Sequence, residues 1–126
     1  MTQVLTITLN PAIDQTIPVQ KLIPGEVHRA TGHSSTPGGK GIGVSIILAS
    51  LGVRTTATGW LGADNDSLFV QAFERNGIKD AMVRLPGNTR TNVKIVDNEA
   101  GESTDVNLPG IKLDAGEQAK DELILA

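Results

Sequence analysis

Pro37-Gly38-Gly39-Lys40-Gly41-Ile42-Gly43-Val44 is the stretch on which the reading of this chain turns. Four glycines fall within six residues, Gly38 to Gly43, and leave the backbone free to bend and to present its N–H groups. An apolar helix follows, read from Val44, Ile47, Leu48 and Leu51 at the i, i+3, i+4, i+7 spacing. Gly52 stands one step beyond, where a left-handed residue closes a helix. A glycine turn at a helix N-terminus favours anions, because free N–H groups and the helix dipole both attract negative charge. Lys40 adds a mobile cation. These residues point to a phosphate or a polyhydroxylated anionic small molecule. The turn is not a P-loop, since Gly41 follows Lys40 where Ser or Thr is required. Nor is it a dinucleotide fingerprint, whose third glycine is replaced by Val44.

The bulk composition narrows the class. At 126 residues there is room for one domain at most. With 39% apolar and 20% charged residues the chain reads as a globular, soluble protein. A net charge of -3 gives no reason to expect nucleic acid or an anionic membrane as a partner. The absence of cysteine excludes disulfides and thiolate metal sites and is compatible with a reducing cytoplasm, the expected location. Met1-Thr2-Gln3-Val4-Leu5 lacks the basic start and apolar run of a signal peptide. The longest unbroken apolar stretch, Ile46 to Ala49, is far too short to span a bilayer. His28 and His33 are isolated, with no second ligand at metal-binding spacing.

Outward from the glycine turn, the pattern alternates strands and helices. Val4 to Leu9 reads as a strand ended by Asn10-Pro11. Asp14 lies just past its end, where ligands collect in open α/β sheets; a turn or capping role fits that position equally well. Thr16–Val19 and Val27–Thr31 read as short extended segments, punctuated by Pro18, Pro24 and Gly25 and suited to edges or a satellite sheet. After the helix, Arg54–Gly59 is a second strand and Trp60–Asp66 a turn. Asp66 is placed to cap a second helix with apolar positions Leu68, Phe69, Ala72 and Phe73, ended by Asn76-Gly77. Ala81–Leu85 is a further strand, followed by a turn at Pro86-Gly87-Asn88. In Arg90–Val96, period-2 alternation puts Arg90, Asn92 and Lys94 on one face. That face suits a phosphate or sugar-hydroxyl reader; on pattern alone, a solvated hairpin face accounts for it better. Ser103–Leu108 is its hairpin partner across a turn at Asp97–Gly101. Asp114 with Glu117 forms a capping box, and the helix it opens stops in mid-pattern on Leu123-Ile124-Leu125-Ala126, the mark of a truncated element.

Taken together the motifs are more specific than any one of them. Thr8-Leu9-Asn10-Pro11-Ala12-Ile13-Asp14, then Pro37 to Ile42, then Leu51-Gly52, then Thr89-Arg90-Thr91-Asn92-Val93-Lys94 resemble, in order and spacing, the ribokinase-like sugar kinases of the phosphofructokinase B family. Within it, the 1-phosphofructokinase and tagatose-6-phosphate kinase branch is the most similar. The resemblance covers essentially the whole chain but only the N-terminal part of such an enzyme. It implies a three-layer α/β/α fold, here partial, with a small β lid from strands at about 15–34 and 88–109. It also implies homodimers joined through the lid, and ATP with Mg²⁺ as cofactors for phosphorylating a phosphorylated ketohexose. By position, Asp14 would hydrogen-bond sugar hydroxyls, Gly38, Gly39 and Lys40 would pack close to the sugar, and Arg90, with Asn92 and Lys94 nearby, would face the substrate's existing phosphate. An unphosphorylated sugar or a nucleoside requires no such cationic face.

Two departures from the family pattern stand out. Where the family usually has a sugar-reading Asn, this chain has Gly43, and Ser45 replaces a small apolar residue and is free to hydrogen-bond locally. The Gly-Ala-Gly-Asp turn that carries the family's catalytic Asp is absent from these 126 residues. Two expectations follow: the chain is the sugar-binding half of such a kinase, or it is a truncated, non-catalytic relative that binds sugar phosphate or pairs through its lid.

Overall fold

The computed structural model describes residues 2–111, which form two sheets joined at one end. The first sheet comprises β1 (Gln3–Thr8), β4 (Arg54–Gly62) and β5 (Lys79–Leu85), all parallel in the order β1-β4-β5. The second comprises β2 (Ala12–Val19), β3 (Ser34–Gly38), β6 (Thr91–Asp97) and β7 (Glu102–Asn107), in the order β3-β2-β6-β7. Its inner pair, β2 and β6, is parallel, and both flanking pairs are antiparallel. Helices α1 (Lys40–Ser50) and α2 (Ser67–Asn76) cover one face of the parallel sheet. The chain is thus α/β with a small β lid. The described residues supply the sheet and one helical layer of a three-layer arrangement.

The core lies between the two helices and the parallel sheet. Ile42, Phe69 and Phe73 from the helices meet Ala57 and Leu61 of β4 and Met82 of β5. These strand residues alternate along the chain, so the pleat delivers them all to the helical side. Trp60, Val83 and Leu85 form a second buried cluster with Ile111. Trp60 and Val83 are paired in register, which extends β4 to Gly62 rather than turning the chain at Trp60 as the sequence suggests.

Helix α1 corrects the sequence reading most. It begins at Lys40 rather than Val44, and its buried side is Ile42 and Ser45, with Ile46 and Ala49 packed against the core. The expected stripe points outward: Val44, Ile47 and Leu51 are 47%, 63% and 72% exposed. The helix is apolar on both sides, so periodicity alone does not choose the face that meets the sheet. Ser45 selects it chemically. Its hydroxyl bonds Thr6 of β1 at 2.7 Å in a buried, non-local contact, not within its own helix. Gly52 does close the helix in a left-handed conformation (φ 81°), and Gly77 closes α2 likewise (φ 67°).

The lid differs from its expected outline in one place. Val27–Thr31 is not a strand; the strand is Ser34–Gly38, whose polar residues carry no alternating signal. β2 belongs to the small satellite sheet, as its punctuation suits, and is an inner strand of it despite Pro18. β3 pairs with β2 only as far as Thr16, and the amide side of position 18 faces that vacant flank, so proline removes no ladder bond. Pro37 lies on β3, an edge strand, as the same rule requires. Asp97 ties the lid's far end together, its carboxylate accepting from Leu22 N–H (3.0 Å) and Ala100 N–H (2.8 Å).

Asp66 precedes α2 but makes no side-chain cap. It pairs instead with Arg84 Nε at 3.0 Å, while Asp80 takes Arg84 Nη2 at 2.7 Å. Burial raises the Asp80 carboxyl pKa, but the Arg84 hydrogen bonds and charge and the Met82 amide outweigh it and leave it below the usual carboxylate value. The expected capping box at Asp114 and Glu117 lies outside the described residues.

The Thr6–Ser45 bond makes a direct test of how α1 is seated. Ser45→Ala leaves a buried hydroxyl unpaired and should lower unfolding free energy by about 1–3 kcal/mol in urea denaturation. Adding Thr6→Val should recover much of that loss.

Candidate functional site

The chain passes from the parallel sheet to the lid twice, at the carboxyl end of that sheet. One crossing, Leu9-Asn10-Pro11, leaves β1; the other, Pro86 to Arg90, leaves β5. They are bonded together, Ile13 N–H donating to Arg90 C=O at 2.8 Å. The return from lid to sheet is the step from β3 into α1. A cleft of about 690 Å³ opens between these crossings. Seven of the eight residues singled out in the sequence line it: Asp14, Gly38, Gly39, Lys40, Gly43, Arg90 and Asn92. Lys94 is elsewhere, in an adjoining cleft of about 440 Å³ that shares Asp14 and Asn92 as its wall.

The floor is the β3-to-α1 switch. Gly39 precedes the helix at φ 126°, a conformation that a side chain would strain. Gly38 is the last residue of β3 and pairs with Ala12, so the backbone passes directly beside Asp14. A Cβ on Gly38 would lie 2.8 Å from the Asp14 Cγ and collide with its carboxylate oxygen. A Cβ on Gly41 would meet the Thr8 hydroxyl and the Ile7 carbonyl. Gly43 is different: nothing lies within 4 Å of the position its Cβ would take. Three glycines of the run are thus required by contact or conformation, and the fourth leaves open space on the cleft. The first helical bond is Gly43 N–H to Gly39 C=O at 2.9 Å, so the amides of Lys40, Gly41 and Ile42 have no acceptor within the helix.

The walls carry the charge. Asp14 and Asn92 are register neighbours on β2 and β6, with Asn92 Nδ2 3.5 Å from Asp14 Oδ1. The Arg90 guanidinium gathers the crossings: Nε donates to Pro11 C=O (3.3 Å), and Nη1 to Leu108 C=O (3.2 Å) and Asn92 Oδ1 (3.3 Å). All three acceptors are neutral and long. Among the described residues no carboxylate bonds the cation, which is held in place and remains available to an anion.

Two polar lining residues, Thr8 and Asn10, were read only as part of a motif and a strand end, with no site role. Thr8 is 5% exposed and its hydroxyl has no partner among the described residues. Its place at the carboxyl end of β1 is the signal that identifies it. Among the described residues no group of three or more His, Asp or Glu is disposed to hold a metal ion. No helix there is long and apolar enough to cross a membrane.

With this geometry in place, comparison with known proteins is informative. The profile of the pfkB family carbohydrate kinases matches residues 1–125. The chain belongs to that family. It is 49% identical over 111 residues to the 1-phosphofructokinase of Xanthomonas campestris and 46% identical over 111 residues to that of Vibrio cholerae. Each alignment covers 88% of this chain and 35% of the relative, so the chain spans about a third of the length of the curated relatives it matches. Among solved structures, Escherichia coli phosphofructokinase-2 in complex with fructose-6-phosphate superposes with a TM-score of 0.83 at 26% identity, covering 100% of this chain and 42% of that one. The tetrameric inhibited form of the same enzyme gives 0.81 at 27% identity, covering 97% and 41%. The pfkB fold is therefore present in its parallel sheet, its helical layer and its lid.

The contrast among the glycines predicts opposite outcomes. Gly43→Ala, in a helix first turn with open space around it, should raise stability by up to about 1 kcal/mol. Gly38→Ala and Gly41→Ala should lower it, each displacing Asp14 or Thr8. Thermal unfolding of the three variants followed by circular dichroism measures this.

Proposed function

We propose that this chain is the sugar-binding part of an ATP-dependent kinase that phosphorylates a phosphorylated ketohexose, of the kind that converts fructose 1-phosphate to fructose 1,6-bisphosphate. The observation that carries the proposal is the meeting of Asp14 and Arg90 on one cleft above the bare first turn of α1. Asp14 is a hydrogen-bond acceptor suited to sugar hydroxyls. Arg90 is a fixed cation with no carboxylate partner among the described residues, suited to the phosphate that the substrate already carries. Gly38 and Gly39 let the ligand approach the backbone. Lys40, at the start of α1, adds positive charge that would help to hold an anionic substrate. Phosphoryl transfer depends mainly on positioning and charge neutralisation, which these groups supply on the sugar side.

Their contribution stops short of the transfer itself. The described residues offer the cleft one carboxylate, Asp14, and no cluster of three or more acidic or His groups that could hold Mg²⁺. A second reading, a non-catalytic module that binds sugar phosphate or dimerises, is favoured by the open space at Gly43, which leaves one wall of the cleft without a side chain.

Isothermal titration of the 126-residue chain with fructose 1-phosphate tests the shared part of both readings. Binding is expected, and Arg90→Met should weaken it about tenfold or more by removing a charge-assisted contact. Absence of binding by the unaltered chain refutes the sugar-binding reading and leaves only a module that dimerises. With ATP and Mg²⁺ added, the chain alone should show no turnover; turnover would mean that its residues complete the site after all.

Pairing through the lid is part of the same proposal. The side of the lid away from Asp14 carries the register pairs Ile17–Ile95 and Val93–Val106, with Val106 49% exposed. Light scattering should report a dimer, and Val106→Lys should shift it toward monomer with the circular dichroism spectrum unchanged.

A further inference from the structure

The chain meets itself at one more place around the main cleft. Leu108-Pro109-Gly110 leads from the end of β7 back to the parallel sheet, where Ile111 packs on the cluster of Trp60, Val83 and Leu85. This strap runs beside the outgoing crossing Leu9-Asn10-Pro11. Arg90 spans the two, donating to Pro11 C=O and to Leu108 C=O. Asn10 and Gly110 touch as well. A Cβ on Gly110 would collide with Asn10 Oδ1 and lie 3.4 Å from its Cγ and 3.9 Å from its Nδ2. The three nearest atoms it would meet all belong to that one side chain. Gly110 does not have a positive φ, so space rather than conformation keeps a side chain out.

The backbone also restrains Asn10. It precedes Pro11, and a proline ring confines the residue before it to extended conformations. The direction of its Cα–Cβ bond is therefore set, and Gly110 closes one side of the amide. Its oxygen end lies against the strap and its Nδ2 end farther from it. Two side-chain amides line the main cleft, Asn10 and Asn92. Asn92 is engaged at both ends, with Nδ2 toward Asp14 and Oδ1 accepting from Arg90. The Asn10 side chain makes no hydrogen bond among the described residues and is exposed on the cleft. Asp14 can only accept, whereas each sugar hydroxyl both donates and accepts. The Asn10 amide, with two N–H donors, supplies what the carboxylate lacks.

We infer that Asn10 is a further substrate contact, its Nδ2 donating to a hydroxyl oxygen of the same sugar that Asp14 binds. Gly110 is the positioning residue that leaves this amide its place. The strap thereby takes part in recognition without offering a side chain of its own. This assignment rests on the sugar-phosphate reading above and deepens it, adding a neutral donor for hydroxyls to the carboxylate and the cation.

Calorimetric titration of the chain with fructose 1-phosphate tests this as a double-mutant cycle. Asn10→Ala should weaken binding about three- to tenfold, the range of one neutral hydrogen bond, and leave the unfolding temperature unchanged. Gly110→Ala should weaken binding to a similar extent and lower the unfolding temperature, because its methyl group displaces the amide. In the Asn10→Ala background the same change should cost neither affinity nor stability, since the side chain it strikes is gone. The affinity for inorganic phosphate, which has no sugar hydroxyl and is measured by competition, should be alike for the unaltered chain and Asn10→Ala. The assignment is wrong, and the sugar-phosphate reading survives, if Asn10→Ala changes nothing or if Gly110→Ala costs the same affinity in both backgrounds. The same holds if Asn10→Ala weakens inorganic phosphate as much as the ester. If the unaltered chain binds no sugar phosphate, the assignment and the sugar-binding reading fall together.

Discussion

Everything at the cleft depends on a backbone that must pass through a space too narrow for side chains. β3 ends against Asp14, and α1 begins against Thr8 and Ile7, with a single residue, Gly39, between strand and helix. Because the lid strand and the helix are joined there without a loop, the position of the lid over the parallel sheet is set by covalent geometry. The carboxylate of β2 is carried with it. A loop of ordinary length would let Asp14 and the α1 amides move independently. The switch holds them as one surface.

The second constraint is the end of the sheet at which the crossings occur. In a parallel sheet every strand points its carboxyl end the same way, so residues leaving β1 and β5 emerge at the same end of the sheet, on either side of β4. Thr8, Asn10 and Arg90 converge for that reason, although they are far apart in sequence. The lid adds Asp14 and Asn92 through register alone, since β2 and β6 pair in parallel and place these two residues opposite one another. The charges then fall unevenly: the Arg90 cation, which no carboxylate bonds among the described residues, lies at the junction, and the carboxylates lie toward the lid's polar face.

Much of this was legible in the sequence because each signal had a local cause. The glycine run, the alternation from Arg90 to Lys94 and the closing glycines Gly52 and Gly77 each reflect a backbone conformation that few residues adopt. Other features were hidden for physical reasons. α1 is apolar all round, so its period could not say which side meets the sheet, and only the Thr6–Ser45 hydroxyl pair reveals it. β3 is a polar edge strand containing a proline, and nothing in Ser34-Ser35-Thr36-Pro37-Gly38 alternates. Asp66 has the identity of a cap, but Arg84 offers it a charged partner. Alternation put Lys94 on the same face as Asn92 correctly; what it could not show was that β7 would bring Asp105 opposite.

Arg90 has a further consequence. Its donors hold Pro11 and Leu108, segments that run between lid and sheet, so the same few N–H groups act as a clasp at the hinge of the lid. An anion that recruits them must compete with those carbonyls, and the bonds it replaces are already long. Ligand capture and the posture of the lid therefore draw on one shared set of hydrogens. A filled cleft and an empty one cannot hold the hinge with equal firmness.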